Sequence, residues 1–293
     1  MNGAIVVNKP AGWTSHDAVN KVRRLAGTRR VGHLGTLDPM ATGVLPLVVD
    51  GATRLAQFYT HSDKVYDAII RFGHSTDSYD RDGAPTSPHV EVDITRERIE
   101  PLLDGFRGTI QQTPPPISAK KIDGVPAYRL ARKKVEVELK PVEVTIRSLE
   151  LVECGGTDVR MVVHCSAGTY LRALAHELGK LVGPGAFLEQ LIRLRCGDFA
   201  IEQARTIEQL EELAKDDRFI EAYIPAAEML PEFPCEFVDT LTTTFIRQGR
   251  DFRTSPFRVR PGSRFVKAVG QHGELIAIGE AKLPNLYHPM LVL

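Results

Sequence analysis

The chain has 293 residues, 43% hydrophobic and 25% charged, with 37 Lys+Arg against 37 Asp+Glu and hence no net charge. This is an ordinary globular composition, long enough for one large domain and a smaller one. It excludes a generic polycation that coats nucleic acid. It also excludes a helical membrane protein, since no apolar run approaches the ~20 residues needed to span. Cys154, Cys165, Cys196 and Cys235 show no C-x-x-C spacing, which argues against a zinc site or a disulfide framework.

The opening MNGAIVVNKP has no basic n-region and too short an apolar run for a signal peptide, so a cytoplasmic protein with reduced cysteines is expected. Residues 4–7 read as a buried strand ending in the turn Asn8-Lys9-Pro10. Thr14-Ser15-His16-Asp17 has the form of a capping box. The helix behind it places Ala18, Val22, Leu25 and Ala26 on one face and Lys21, Arg23 and Arg24 toward solvent, and Gly27 ends it.

Residues 29–46, RRVGHLGTLDPMATGVLP, hold three glycines, two prolines and a single carboxylate, Asp38. No regular helix fits that composition. Asp38 precedes a proline and so sits on an extended or turning backbone. Leu34, Leu37, Met40, Val44 and Leu45 flank it. On composition alone this is a turn in which Asp38 caps its own backbone.

Residues 45–49 form a second strand and 52–59 a short helix. KVYDAIIRFG, residues 64–73, alternates with Tyr66, Ala68, Ile70 and Phe72 on one face. Taken alone, Tyr66 is a core tyrosine with a satisfied hydroxyl. In HSTDSYDRDG, Ser78, Asp80, Asp82 and Gly83 imitate the start of an EF-hand loop, but His89 stands where the bidentate Glu belongs, so a calcium site is rejected.

Residues 96–106 read as a helix, and 142–152 and 159–165 as antiparallel strands. Leu171, Leu174, Ala175, Leu178 and Leu181 make a helical stripe. Periodicity leaves Arg172 beside that stripe, on the surface. Residues 204–215 read as a charged amphipathic helix, and 228–234, with Pro231 and Pro234, as a linker. From about residue 235 short strands and turns describe a small β-rich module. Basic residues gather twice: Lys21, Arg23, Arg24, Arg29 and Arg30, then Arg247, Arg250, Arg253, Arg258, Arg260, Arg264 and Lys267. Separated patches on a neutral chain suit docking of a phosphate backbone, or are solvated faces.

The residue order is more specific than the composition. GHLGTLDPMATGVLP resembles the active-site segment of the TruB family of tRNA pseudouridine synthases, G-H-x-G-x-L-D-P-x-A-T-G-x-L, at every fixed position. KPAGWTSHDAV resembles the family's opening K-P-x-G-x-[ST]-S, KVYDAIIRFG its K-x-Y strand and CSAGTYLR its C-S-x-G-T-Y-[IL]-R motif. HSTDSYDRDG is similar to its G-x-x-T-D-T-x-D-x-x-G loop, with Ser78 in place of the second Thr. The stretch 108–132 is similar to its Q-x-P-P-x-[FY]-S-A segment, but Ile117 replaces an aromatic and, just beyond, Lys134 a glycine. The likeness is firm over about residues 4–230, and the tail loosely resembles a PUA-type RNA-binding domain.

The resemblance implies an α/β (α+β) catalytic domain, residues 1–230, on a mixed, mainly antiparallel sheet, and a PUA-like module at 235–293. It implies isomerisation of uridine 55 in the T-loop of tRNA, with the T-arm as partner, no membrane, no metal, and a monomer. Such chemistry breaks the N1–C1′ bond, turns the uracil and rejoins it through C5. It involves no redox change and no group donor, so no cofactor is expected. By the match, Asp38 is catalytic, as nucleophile or base, and pairs with a buried Arg172, while Tyr66 lies against the flipped base. His33 helps fill the space the base leaves and Leu191 lines its pocket. Lys9, Gly35 and Thr36 are matched positions near the substrate, and Arg29 and Arg30 would hold phosphates. Attack at C1′, attack on the ring and proton abstraction at C2′ all remain open. The rival readings are a non-catalytic tRNA-binding or tRNA-folding protein on the same scaffold, and the same chemistry on another RNA.

Overall fold

The computed structural model describes residues 2–117, 121–122, 125–126, 139–260 and 262–293. Its strands in chain order are β1 (Gly3–Lys9), β2 (Val31–His33), β3 (Thr42–Val49), β4 (Lys64–Phe72), β5 (Gly108–Gln112), β6 (Lys121–Ile122), β7 (Val125–Pro126), β8 (Val142–Gly155) and β9 (Asp158–Cys165). They continue with β10 (Ala186–Cys196), β11 (Phe199–Ala200), β12 (Tyr223–Pro225), β13 (Cys235–Phe237), β14 (Phe252–Arg253), β15 (Phe265–Val269), β16 (Leu275–Leu283) and β17 (Leu286–Val292).

The main sheet runs β12-β1-β3-β10-β4-β9-β8-β5, with β2 on β3 and β11 on β10, while β6 and β7 pair with each other. Within the main sheet every pairing is antiparallel except β3 with β10, which meet in parallel at Thr42 and Gly43 against Ile192 and Arg193. The expected mixed, mainly antiparallel sheet is therefore present.

Two-residue alternation explains the sheet's faces. Along β4, Tyr66, Ala68, Ile70 and Phe72 are all buried, as their spacing predicts. Against this face lie the helices Ser15–Leu25, Arg96–Leu103, Leu171–Val182 and Ile207–Lys215, through Val22, Ile99, Leu178 and Leu210. The first of these starts on the expected capping box: Thr14 Oγ1 accepts from the Asp17 amide, and the Asp17 carboxylate accepts from the Thr14 amide at 2.8 Å. The opposite face carries Ala4, Val6, Val44 and Val48. It is covered by Asp50–Tyr59, which folds as 3-10 turns rather than α-helix and is entered through Asp50 at φ 52°.

Leu181 does not complete the stripe of its helix. It is 60% exposed, and Val182 takes the inward place over Leu171, Ala175 and Leu178. Arg172, expected on the surface from periodicity, is buried.

The second sheet, β13-β15-β16-β17-β14, has its own small core of Val238, Ile246, Val259, Val266 and Ile276. The stretch 228–234 is a packed seam and not a free linker. Met229 and Leu230 are buried, and Lys267 Nζ donates to the carbonyls of Ala227 at 2.8 Å and Met229 at 2.9 Å. Lys267 thereby leaves the C-terminal basic patch for the interior. Phe58, Phe233 and Phe265 close the seam, with ring centroids 5.2–5.4 Å apart. Residues 118–120, 123–124 and the whole of 127–138, Lys134 included, lie outside the described residues. No described helix is long and apolar enough to cross a membrane.

Candidate active site

The loop between β2 and β3 carries Asp38, and buried groups fix it from below. Leu34, Leu37 and Met40 point inward. The Ser15 hydroxyl accepts from the Leu37 amide at 2.8 Å and donates to the Leu37 carbonyl at 3.1 Å, so both polar groups beside Asp38 are used. The Ala41 amide closes the turn on the Asp38 carbonyl at 3.1 Å. Gly43 sits at φ 96°, and a Cβ there would lie 2.3 Å from the Arg193 carbonyl, so no side chain fits where β10 crosses.

Two cations tie the loop down through its carbonyls. Lys9, wholly buried, donates from Nζ to Pro10 at 2.9 Å, Trp13 at 2.7 Å and Pro39 at 3.2 Å. Burial pulls its ammonium down to about 8, against the opposing charge of Asp38. Expected near the substrate, Lys9 is instead an internal tether of the residue that follows Asp38. Arg193, 1% exposed, reaches across from β10: Nε donates to Val44 at 2.7 Å, Nη1 to Thr36 at 3.3 Å and Nη2 to Gly35 at 3.0 Å.

Held this way, Asp38 does not cap its own backbone; it meets Arg172. Arg172 Nη2 donates to Asp38 Oδ1 at 3.2 Å, and Nε approaches Oδ2 at 2.9 Å. The Nε–H is not aligned for a hydrogen bond, so this second approach is a charge contact. The two partners differ in exposure. The Arg172 side chain is 5% exposed and that of Asp38 36%, so the carboxylate opens to the cleft while its cation is sealed behind it.

Arg172 serves a second acid. Its Nη1 donates to the Ser78 carbonyl at 3.1 Å and lies 3.4 Å from Asp80 Oδ2. Asp80 is buried, and its carboxyl is pushed up by desolvation against the opposing pull of the Ser78 hydroxyl and Arg172. Thr76 Oγ1 donates to the Asp80 carbonyl at 2.7 Å, which shapes the loop. Of the two carboxylates that imitate an EF-hand, Asp80 thus faces Arg172, while Asp82 is exposed. Asp80 was not among the expected site residues. The T-D-x-x-D match marked its loop, but nothing in the spacing says which acid turns inward.

The cleft in front of Asp38 has a volume of about 730 Å³. His33, Gly35, Thr36, Lys64, Tyr66, Leu191 and Arg193 line it with Asp38 and Arg172. Lys64 and Tyr66 share one face of β4, Leu191 and Arg193 one face of β10, and Tyr66 stands opposite Arg193 in the register. Burial pushes the Tyr66 hydroxyl up to about 12, with Arg193 pulling the other way, so the ring is neutral at physiological pH. His33 is exposed at the mouth. Arg29 and Arg30 are exposed and lie outside the cleft lining. Lys64 is the lysine of the K-x-Y match, from which a role was taken for the tyrosine alone, and Arg193 stands at no matched position. A further cue to both is a charge at an inward position of an alternating strand. The result is an arginine-held carboxylate in a cleft that Tyr66 and Leu191 also line.

Residues 23–171 match the TruB family pseudouridylate synthase (N terminal domain). A Solibacter usitatus protein named tRNA pseudouridine synthase B is 57% identical over 293 residues, covering 100% of both chains. The Aquifex aeolicus protein of that name is 37% identical over 252 residues, 85% of this chain and 86% of its own. Among solved structures, the Cbf5-Nop10-Gar1 complex contains a chain 26% identical to this one, with TM-score 0.69 over 97% of this chain and 79% of that chain. A chain of an H/ACA RNP bound to a substrate RNA containing 2′-deoxyuridine shares the fold, with TM-score 0.72 and 24% identity over 99% and 84% of the two chains.

Proposed function

We propose, since this chain belongs to the TruB family of pseudouridylate synthases, that it converts uridine 55 in the T-loop of tRNA to pseudouridine. The observation that carries this reading is the unequal burial of the Asp38–Arg172 pair. The cation is fixed and hidden, and the carboxylate faces a cleft lined by Tyr66 and Leu191.

The target uridine leaves its stack to enter the cleft, and the contacts made inside offset the unstacking. Its base lies on Tyr66 and against Leu191, which brings the ribose to Asp38. The carboxylate acts there as nucleophile or as base, and the N1–C1′ bond breaks. The uracil turns, and C5 replaces N1 on C1′. Arg172 keeps the carboxylate charged and oriented through the reaction, and Asp80 and the Ser78 carbonyl keep Arg172 in place. No step calls for a cofactor or metal.

Residues 1–230 form the catalytic domain and 235–293 a PUA-like RNA-binding module; the separate sheet and core of the latter support that division. Arg29 and Arg30 beside the cleft loop, and Arg247, Arg250, Arg253 and Arg260 on the module, are exposed and suited to phosphates of the T-arm. The enzyme works as a cytoplasmic monomer.

The test is pseudouridine formation in an unmodified T-arm hairpin by wild type and Asp38→Asn, with RNA affinity measured alongside. Turnover falls about a thousandfold or more in the variant while affinity stays within about twofold. Tight binding without turnover by the wild type would transfer the reading to a tRNA-folding protein.

A further inference from the structure

Four buried cations stand in or under the cleft, namely Lys9, Lys64, Arg172 and Arg193. The two acids placed among them, Asp38 and Asp80, both lie on Arg172. Among the described residues neither Lys64 nor Arg193 has a carboxylate within 4.0 Å. Asp63, next to Lys64 in the chain, is engaged by Arg147 and by His164 at 3.2 Å. Lys64 Nζ donates to the Ser62 carbonyl, which leaves two of its three N–H groups without a bond among the described residues.

The two unpaired cations converge. A Cβ at Gly35 would lie 3.5 Å from Arg193 Nη1 and 3.8 Å from Lys64 Cε, so both stand directly behind the cleft loop. Lys64 is two residues before Tyr66 on the same inward face of β4, and both line the cleft. A buried charge without a counter-ion is unfavourable. Such an arrangement is sensible where the anion arrives with the substrate. This spot lies beside Tyr66, on the face of β4 against which the target base is placed by the synthase reading.

We propose that Lys64, backed by the charge of Arg193, binds the uracil ring as the anion that forms when the N1–C1′ bond breaks. The inference rests on the synthase reading above. The bonding pair leaves with N1 and spreads over O2 and O4. C1′ is compensated by a new bond to an Asp38 carboxylate oxygen, or by loss of the C2′ proton to Asp38. C5 of the turned ring then bonds to C1′ as the Asp38 oxygen leaves it or, on the other route, as Asp38 returns its proton to C2′; the freed carboxylate takes the C5 proton, and N1 gains one from water. Lys64 donates a hydrogen bond to O2 or O4 while the charge is present, in a site shielded from water, where a fixed donor is most effective. A flexible stem with three donors can follow an oxygen as the ring turns, which a planar guanidinium cannot.

Lys64→Met, Lys64→Gln and Lys64→Arg are compared with wild type as full-length proteins on T-arm hairpins carrying uridine or 5-fluorouridine at the target. Single-turnover consumption of the target nucleoside and the RNA dissociation constant are measured. With uridine, Lys64→Met and Lys64→Gln slow consumption at least about tenfold with affinity within about twofold, and Lys64→Arg recovers part of the rate. With 5-fluorouridine, whose fluorine already stabilises the ring anion, the defect shrinks at least about threefold. An equal defect on both substrates overturns the proposal. So does weakened binding with an unchanged rate, which would make Lys64 a phosphate anchor. Loss of the folded state in both neutral variants also overturns it, by assigning the ammonium to stability. Absence of turnover by the wild type itself would instead bring down the synthase reading and this inference together.

Discussion

In the cleft, Arg172 and Arg193 are buried, and their nitrogens are engaged by carbonyls and carboxylates. On the C-terminal sheet, Arg250, Arg258 and Arg264 are exposed, and each guanidinium lies over an aromatic ring, 4.2 Å from Phe245, 5.6 Å from Phe237 and 4.8 Å from Phe265. The residue type is shared and the physics is not. Where water is excluded, a guanidinium is tolerable only when its N–H groups are used, and it then rigidly fixes whatever it holds. Where water is present, ring and solvent satisfy it weakly and salt screens it; Arg258 and Arg264 also meet Glu236 at 3.4 Å and Glu280 at 3.1 Å, while the charge of Arg250 remains available to an incoming anion.

The contrast is sharpest at Arg172. Arg172→Met leaves Asp38 and Asp80 facing a neutral side chain, so stability falls by about 3–5 kcal/mol in urea unfolding and turnover is abolished. Arg172→Lys returns the charge without the fork; it recovers part of the stability and little of the rate. A Met variant as stable as wild type would break the comparison. A smaller effect is expected at Arg193. Lysine there cannot reach Gly35, Thr36 and Val44 together, so Arg193→Lys loses about 1–3 kcal/mol and lowers kcat with RNA affinity intact.

The exposed arginines behave oppositely. Charge reversal at Arg29 with Arg30, or at Arg247 with Arg250, raises KM several-fold, leaves kcat and melting temperature nearly unchanged, and flattens the salt dependence of binding. An unchanged KM would remove these residues from the RNA surface. The smallest effect is a slope. Lys9 loses its proton near pH 8 when folded but only near 10.5 when unfolded. Between those values the unfolded chain binds more protons, so this group makes stability rise with pH. The stability of wild type relative to Lys9→Met therefore improves from about pH 8 to about 10.5. A flat difference would mean that the buried ammonium titrates elsewhere.

Asp38, Tyr66 and Arg172 were legible in the sequence because their identity is fixed by motif order, and order survives without coordinates. Burial was less legible. Arg172 flanks an apolar stripe, and periodicity alone puts a flanking arginine in water; only the Asp80 loop, 94 residues upstream at Ser78, supplies its other partners. Lys9 looked like a ligand contact because it is a matched lysine near the cleft, yet its ammonium faces three backbone carbonyls. The strand alternation in 64–73 predicted the β4 core correctly. The same alternation places Lys64 and Arg193 inward, where a charge in an apolar pattern is the cue to a site. The seam at 228–234 read as a linker because its prolines are visible in sequence and its anchor, Lys267, is distant in the chain.

Asp38 and Arg172 are 134 residues apart in the chain, and Arg193 reaches back 149 residues to Val44. The parallel join of β3 to β10 that seats Arg193 cannot form until β10 has been synthesised. Contacts of such long range form late, because the loop entropy must be overcome before they contribute. A chain emerging from the ribosome N-terminus first thus carries the whole of residues 29–46 well before it carries their geometry. During synthesis the polypeptide is chemically silent toward RNA, and reactivity appears together with the sealing of the sheet.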